Sequence, residues 1–375
     1  MTRDDIQAEA IKILKGLSAN SRVGLGISMG VGKTKICLDY INYLSSARVI
    51  PLKTLVVAPK VSIHKSWKDE IVKHGYEDSN LDISYGTYLS LYKKNLSNYD
   101  LIILDECHNL LRKHDSVLSN YKGCIVGVTG TPPKVASSEK GEMVAKHCPI
   151  KFTYMVDDAV SDGILNDYMI YVHVLDLDTR KNHFKKTKTG GYYTSELEDY
   201  NYWSRAIDNA NSQKEMQMKR ILRMKGLMSY PSKEVYAKEL LNYINDKVIL
   251  FANTKDQASR LCSYSYFSGN KNSESNLEKF KSGDIFKLAC VLQLNEGVNI
   301  PNLKQGIIMH SYGNERKSSQ RLGRLLRLNP DETGKIHILC YRNTVDETWV
   351  KSALEDYDSS KVMWVSKSSK FTEDQ

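Results

Sequence analysis

The sequence predicts an α/β protein of two domains, each a mainly parallel sheet flanked by helices. Three observations carry this. Short apolar runs alternate with helical patterns along the whole chain. The runs are near-continuous in apolar character, as expected of parallel strands covered on both faces. The length, 375 residues, suits two domains of ordinary size.

In the first half the strand candidates are "VGLGIS", "TLVVAP", "LIILDE" and "CIVGVTGT". In the second they are "MIYVHVL", "KVILFA", "KLACVLQL", "QGIIMH" and "KIHILCY". Polar, glycine-containing "DDAVSDGILNDY" between them reads as the boundary. The expected division is a first domain over 1–157, a linker over 158–168 and a second domain over 169–375. One segment breaks the second domain's pattern. Residues 178–230 start "DTRKNHFKKTKTGGYY" and continue into Lys- and Met-rich helical sequence, and they read as a basic insertion. Its cations, aromatics and glycines suit gripping a duplex or stacking on bases, and they suit a solvated loop equally well.

Formal net charge is +9, which favours a polyanionic partner, most simply nucleic acid. Seven cysteines contain no Cys-x-x-Cys pair. That argues for a reducing compartment and against a zinc site. The opening "MTRDDIQAEAIKIL" reads as a polar helix start, and no run approaches the ~20 apolar residues that span a bilayer. A soluble, cytoplasmic monomer with no membrane partner is expected, in the host cytoplasm if the chain is phage-encoded.

"VGLGISMGVGKT" reads as strand, tight loop and a helix starting near Lys33. Backbone N–H groups of Met29, Gly30, Val31, Gly32, Lys33 and Thr34 can wrap phosphate oxygens at that helix N-terminus. Lys33 can reach the β/γ-phosphates and the Thr34 hydroxyl can bind Mg²⁺. The full pattern wants glycine at 27, where this chain has Ile27; Gly26 is one place off. "YDLIILDECHNL" ends a strand in Asp105 and Glu106, at the sheet edge where α/β folds bind ligands. Asp105 can hold Mg²⁺ through water, and Glu106 can deprotonate an attacking water. In "SSQRLGRLLRLNP", Gln320, Arg324 and Arg327 share one helical stripe opposite Leu322, Leu325 and Leu326. Taken alone, that stripe could be a solvated basic face.

"DECH" lying between a phosphate loop and "VTGTPP" resembles the DExH superfamily 2 helicases and translocases. "TLVVAPKVSIHKSWKDEI" is similar to Swi/Snf-type and phage recombination helicases, and "DDAVSDGILNDY" to restriction-enzyme motors and phage branch-migration helicases. The match runs in order from Gln7 to about Trp349. The resemblance implies two RecA-like domains with ATP and Mg²⁺ in the cleft between them. It makes Arg324 and Arg327 arginine fingers, brings Gln320 to the cleft through His108, and assigns Arg321 to the acidic strand end. It gives Gly297 and Asn299 of "LNEGVNIP" to the nucleotide, Asn299 standing where relatives often carry Asp. It gives Gln7 the adenine edge and His108, Thr129 and Thr131 the coupling of hydrolysis to motion. The loops "APK", "SYGTY", "FANT" and "FSG" match track positions, with Lys60, Thr87, Asn253 and Thr254 as backbone-phosphate contacts. The implied activity is ATP-driven movement along or remodelling of DNA, including branched DNA of replication or recombination. An RNA helicase and an ATP-gated clamp that does not step are the alternatives.

Overall fold

The computed structural model describes all residues except 29, 47, 78, 80, 188–189, 292–299, 301, 311–332, 356 and 367–375. The described residues part between Asn166 and Asp167 into two compact units.

The first unit runs α1 (Arg3–Lys15), β1 (Arg22–Ile27), α2 (Lys33–Ser46), β2 (Lys53–Ala58), α3 (Val61–Lys73), β3 (Asp82–Thr87), β4 (Leu101–Asp105), α4 (Asp115–Asn120), β5 (Cys124–Thr129), α5 (Glu139–His147), β6 (Ile150–Tyr154) and α6 (Val156–Ser161). Its strands form one parallel sheet in the order β3-β2-β4-β5-β1-β6. Every residue of β4 and β5 is buried, which is why these runs read as unbroken apolar sequence. Thr2 caps α1 through a reciprocal pair with Asp5, and acidic residues open the helix while lysines close it.

Two expectations change here. "SYGTY" is no loop: Asp82–Thr87 is the edge strand β3, and only Thr87 reaches the strand end. Its polar, half-buried composition concealed it, because an edge strand needs no continuous apolar run. Residues 158–168 are no free linker either. They include the end of α6 and the start of β7 (Tyr168–Leu175). Ala159 and Leu165 are buried in the first unit's core, with Val160 and Ile164 packed against it.

The second unit continues from β7 through the hairpin β8 (His183–Thr187) and β9 (Gly190–Thr194), then α7 (Glu196–Asp208), α8 (Gln213–Ser229), α9 (Pro231–Tyr243), β10 (Val248–Ala252), α10 (Lys255–Leu261), β11 (Ser265–Tyr266), α11 (Ser273–Ser282), β12 (Lys287–Val291), β13 (Gln305–Ile308), β14 (Gly334–Tyr341), α12 (Val345–Leu354) and β15 (Val362–Ser366). Seven parallel strands pair as β11-β12-β10-β13-β14-β7-β15.

The 178–230 segment is more than an appendage. Its Tyr200, Leu227 and Tyr230 belong to the second unit's core. Glu196, 1% exposed, accepts from the backbone N–H groups of Asp178 and Ser232 and from the Ser232 hydroxyl. Beside it the fully buried Lys233 pairs with Asp346 and lies 4.5 Å from the Tyr341 ring. Removing one member of such a pair would leave a buried charge unmet.

A second buried polar chain crosses one sheet face. The Tyr236 hydroxyl meets His173 Nδ1 at 2.8 Å, and His173 Nε2 meets His337 Nδ1 at 2.9 Å. His337 Nε2 then meets Gln305 Oε1 at 3.0 Å, and Gln305 donates to Asp246 at 2.8 Å. One tautomer set satisfies every link with both rings neutral: each imidazole accepts at Nδ1 and donates at Nε2. An added proton breaks that order, and burial pushes His173 down to about 4 and His337 well below its ordinary value.

The sign follows from linkage. Below about pH 6.5 the unfolded chain takes up protons that the buried rings refuse, so stability is complete above that pH and is lost as pH falls toward 4. Between pH 7 and pH 5 the loss from His173 is expected to be about 2 kcal/mol. Denaturant unfolding at the two pH values should show this drop, and His173→Gln should reduce it.

Candidate nucleotide and nucleic-acid sites

In the first sheet β5 lies between β4 and β1. The registers set Asp105 beside Val128 and Gly26 beside Thr129, so the three strands end together. The loop to Lys33, the Asp-Glu pair and the Thr-Gly-Thr turn therefore leave the sheet from one edge.

The loop after β1 is shaped by backbone conformation. Gly30 and Gly32 have φ of 95° and 105°, a region that side chains rarely enter. A Cβ at Gly32 would also stand 2.5 Å from the Gln7 amide nitrogen. That amide, 5% exposed, donates to Val31 O at 2.7 Å, so Gln7 braces the loop from α1. Lys33 and Thr34 form the first turn of α2, which carries no acidic side chain there. Its N–H groups and positive dipole end thus face no carboxylate of their own turn, which suits an anion. Lys33 Nζ rests on Ile27 O at 3.2 Å. Gly26 sits inside β1, where a Cβ would press on Pro132 at 2.8 Å. It is a close-packing position against the TGTPP turn and not part of the loop.

Asp105 is 8% exposed, and its Oδ2 accepts from Trp67 Nε1 at 2.8 Å. Tyr88 donates to the Asp105 carbonyl at 2.9 Å. Neither residue was singled out in the sequence as part of this site. A signal was present for Trp67: Ile63, Trp67 and Ile71 lie i, i+4, i+8 on α3, and a buried indole N–H needs an acceptor. What the spacing does not tell is which acceptor it finds.

Glu106 has φ 51°, ψ 54°, a left-handed conformation unusual for a side-chain-bearing residue and costing roughly 1–2 kcal/mol. It turns the chain at the strand end and brings the carboxylate to a compact cluster. Thr129 Oγ1 donates to Glu106 Oε2 at 3.3 Å, and His108 Nδ1 is 3.4 Å from the same oxygen. His108 Nδ1 also lies 2.6 Å from Thr129 Oγ1 and 3.1 Å from Thr131 Oγ1, and Thr131 N donates to Thr129 Oγ1 at 3.1 Å. Cys107, by contrast, is buried with its thiol pushed up by a hydrogen bond to Cys148 and by burial, so it is a poor nucleophile.

The track candidates sit at strand ends in their own units. Lys60 is exposed at the N-cap of α3, directly after β2. Thr87 ends the neighbouring β3, with its hydroxyl 3.0 Å from Ser90 Oγ. In the second unit Thr254 caps α10 through Gln257 N, and Asn253 N donates to Gln257 Oε1. Met29, Gly297, Asn299, Gln320, Arg321, Arg324 and Arg327 lie outside the described residues. Among the described residues no cluster of His, Cys, Asp and Glu forms a metal cage by itself. A Mg²⁺ held by one hydroxyl, one carboxylate, water and substrate phosphates needs no such cage. Among the described residues no helix is long and apolar enough to cross a membrane.

The family model for the type III restriction enzyme res subunit matches residues 1–134, and that for the helicase conserved C-terminal domain matches residues 232–329. The chain is 26% identical to the DNA 3'-5' translocase XPB2 of Sulfurisphaera tokodaii, over 89% of this chain and 81% of that one. A fragment of a putative HsdR subunit of a type I restriction enzyme from Vibrio vulnificus YJ016 matches with a TM-score of 0.62 at 17% identity, over 96% of this chain and 68% of that one. The ATP-dependent type ISP restriction-modification enzyme LlaBIII bound to DNA matches with a TM-score of 0.62 at 15% identity, over 99% of this chain and 32% of that one. The two structural likenesses speak to the fold, which both share with this chain.

Trp67→Phe preserves a buried ring and removes only the N–H that holds Asp105. A hydrogen bond to a charged group contributes about 1.5–3 kcal/mol, so ATP turnover is expected to fall about tenfold or more. Affinity for a fluorescent ATP analogue should change only a few-fold, since the phosphate loop is untouched. Steady-state turnover and equilibrium binding, measured side by side, check this; wild-type turnover would reduce the contact to a structural one.

Proposed function

We infer the function of this chain from the family it belongs to, the superfamily 2 helicases and translocases. It is an ATP-dependent DNA helicase or translocase built on two RecA-like domains. The observation that most supports this reading is the shared edge of β4, β5 and β1, which gathers a phosphate-type loop, two carboxylates and the Thr-Gly-Thr turn. DNA is preferred over RNA because the relative matched along most of both chains is a DNA translocase.

In this reading the N–H groups from Gly30 to Thr34 bind the phosphates of ATP, with Lys33 leaving Ile27 O to meet them. Thr34 and Asp105 would hold Mg²⁺, which supplies charge neutralisation at the phosphates when bound. The residues fit: the Thr34 hydroxyl in the first turn of α2 and the Asp105 carboxylate, held by an indole N–H, are oxygen donors of the kind Mg²⁺ takes. Glu106 orients and deprotonates the attacking water. Its hydrogen bond from Thr129 and its contact with His108 make it the point where the state of the nucleotide can be felt by the turn at Thr131. Arg324 and Arg327 act on the γ-phosphate as arginine fingers. Lys60, Thr87, Asn253 and Thr254 hold the DNA backbone, which positions without reading sequence.

Lys33 and Glu106 serve different steps. Lys33→Ala should weaken ATP binding and abolish turnover, whereas Glu106→Gln should keep ATP bound and stop hydrolysis. Equal loss of nucleotide affinity in both would sink the assignment, and wild-type turnover that DNA does not stimulate would sink the motor. Substituting Arg324 or Arg327 by Ala should cut turnover by about 10³–10⁵, roughly 4–7 kcal/mol, with duplex binding preserved. Near-normal ATPase in Arg327→Ala would show the stripe to be a solvated face.

A further inference from the structure

The hairpin β8–β9 presents two faces of different character. Alternation along its antiparallel register puts His183, Lys185, Tyr192 and Thr194 on one face and Phe184, Gly191 and Tyr193 on the other. The first face is packed at its base, while Tyr192 nearer the tip is 53% exposed. Lys185 lies 2.9 Å from Asp199 Oδ2, Tyr230 donates to the same oxygen at 2.8 Å, and the His183 ring meets Tyr230 edge-on at 5.5 Å. The chain before the hairpin is pinned by Asp178, which accepts from Arg180 and Asn182; the chain after it by the Ser195–Glu198 capping box. The hairpin is therefore held at both ends and along one side.

The other face carries exposed rings. Phe184 and Tyr193 are directly paired, centroids 5.2 Å apart, yet 53% and 65% exposed. Phe184 lies over Gly191, where a Cβ would stand 2.3 Å from its ring. Covering a strand glycine with an aromatic ring stiffens a hairpin, but it leaves the ring's outer surface in water. The basic character read from the sequence is partly cancelled locally: Lys185 is paired inward, and Lys181 lies 3.3 Å from Glu198. Residues 178–230 still hold eleven Lys and Arg against six Asp and Glu, so they carry +5 of the chain's +9.

We propose that Phe184 and Tyr193 form a stacking platform for unpaired bases of the nucleic acid on which the protein acts, a proposal that rests on the motor reading above. Anchored, half-exposed rings in a region of net positive charge suit a polyanion whose bases offer flat apolar faces. The site is expected to favour single-stranded over fully paired nucleic acid, because paired bases keep their faces covered. Stacking tolerates any base, so no sequence preference should accompany it.

The test compares two single strands of equal length and equal phosphate charge, one of thymidines and one of abasic sites, by fluorescence anisotropy with the full chain. Wild type should prefer the base-bearing strand. Phe184→Ala with Tyr193→Ala should reduce that preference by about tenfold, within the roughly 5- to 150-fold expected per stacked base, and leave affinity for the abasic strand within about twofold of wild type. The ring-preserving exchange Phe184→Tyr with Tyr193→Phe should retain the preference, which separates stacking from damage to the hairpin. An unchanged preference in the double alanine variant would overturn the proposal and leave the aromatic face to a protein partner. A wild type that binds neither strand would fault the motor reading itself.

Discussion

Parallel pairing of β4, β5 and β1 in fixed register is the constraint on which the first unit's chemistry depends. Parallel strands must end on the same edge, and β5 stands between the other two. Asp105, Thr129 and the loop leading to Lys33 become neighbours for that reason, although they lie far apart in the chain. The left-handed Glu106 then makes the one sharp turn that carries its carboxylate to Thr129 and His108. Local strain at this residue is offset by a fully buried sheet on one side and a satisfied polar cluster on the other.

Around that edge, buried polar side chains are set by contacts from elsewhere in the unit. Gln7 on α1 braces the phosphate-type loop, and Trp67 on α3 fixes the Asp105 carboxylate. Both are buried groups with a donor to satisfy, and both satisfy it on that edge of the sheet. Helices α1 and α3, both packed on the same face of the sheet, therefore do more than cover it, since each lends one hydrogen bond to that edge.

In the second unit the same economy of buried polar groups ties the 178–230 segment to the sheet. Glu196 joins the start of β8's approach to the start of α9, and Lys233 with Asp346 joins α9 to α12. Because these groups are buried, they hold the base of the hairpin firmly while its outer face remains in solvent. The neutral histidine chain across β7, β14 and β13 adds a link that depends on protonation, unlike the apolar core around it.

Much of this protein is legible in its sequence. Apolar runs at strand length gave the central strands, and the glycine loop, the Asp-Glu strand end and the TGT turn stood out as polar or glycine-rich residues directly after buried runs. Edge elements were harder. β3, β6 and β15 are only partly buried, and β11, though buried, has just two residues, so none shows the long stretch of continuous burial that makes a strand readable. The 158–168 stretch read as a linker because polar residues and Gly163 break up the short apolar pairs that anchor it to the first core. What only the tertiary structure decided is which buried donor meets which acceptor: Gln7 with Val31, Trp67 with Asp105, Lys185 with Asp199. A sequence specifies that such groups need partners. The choice among partners distant in the chain is made by the packing of helices on the sheet, and no local pattern encodes it.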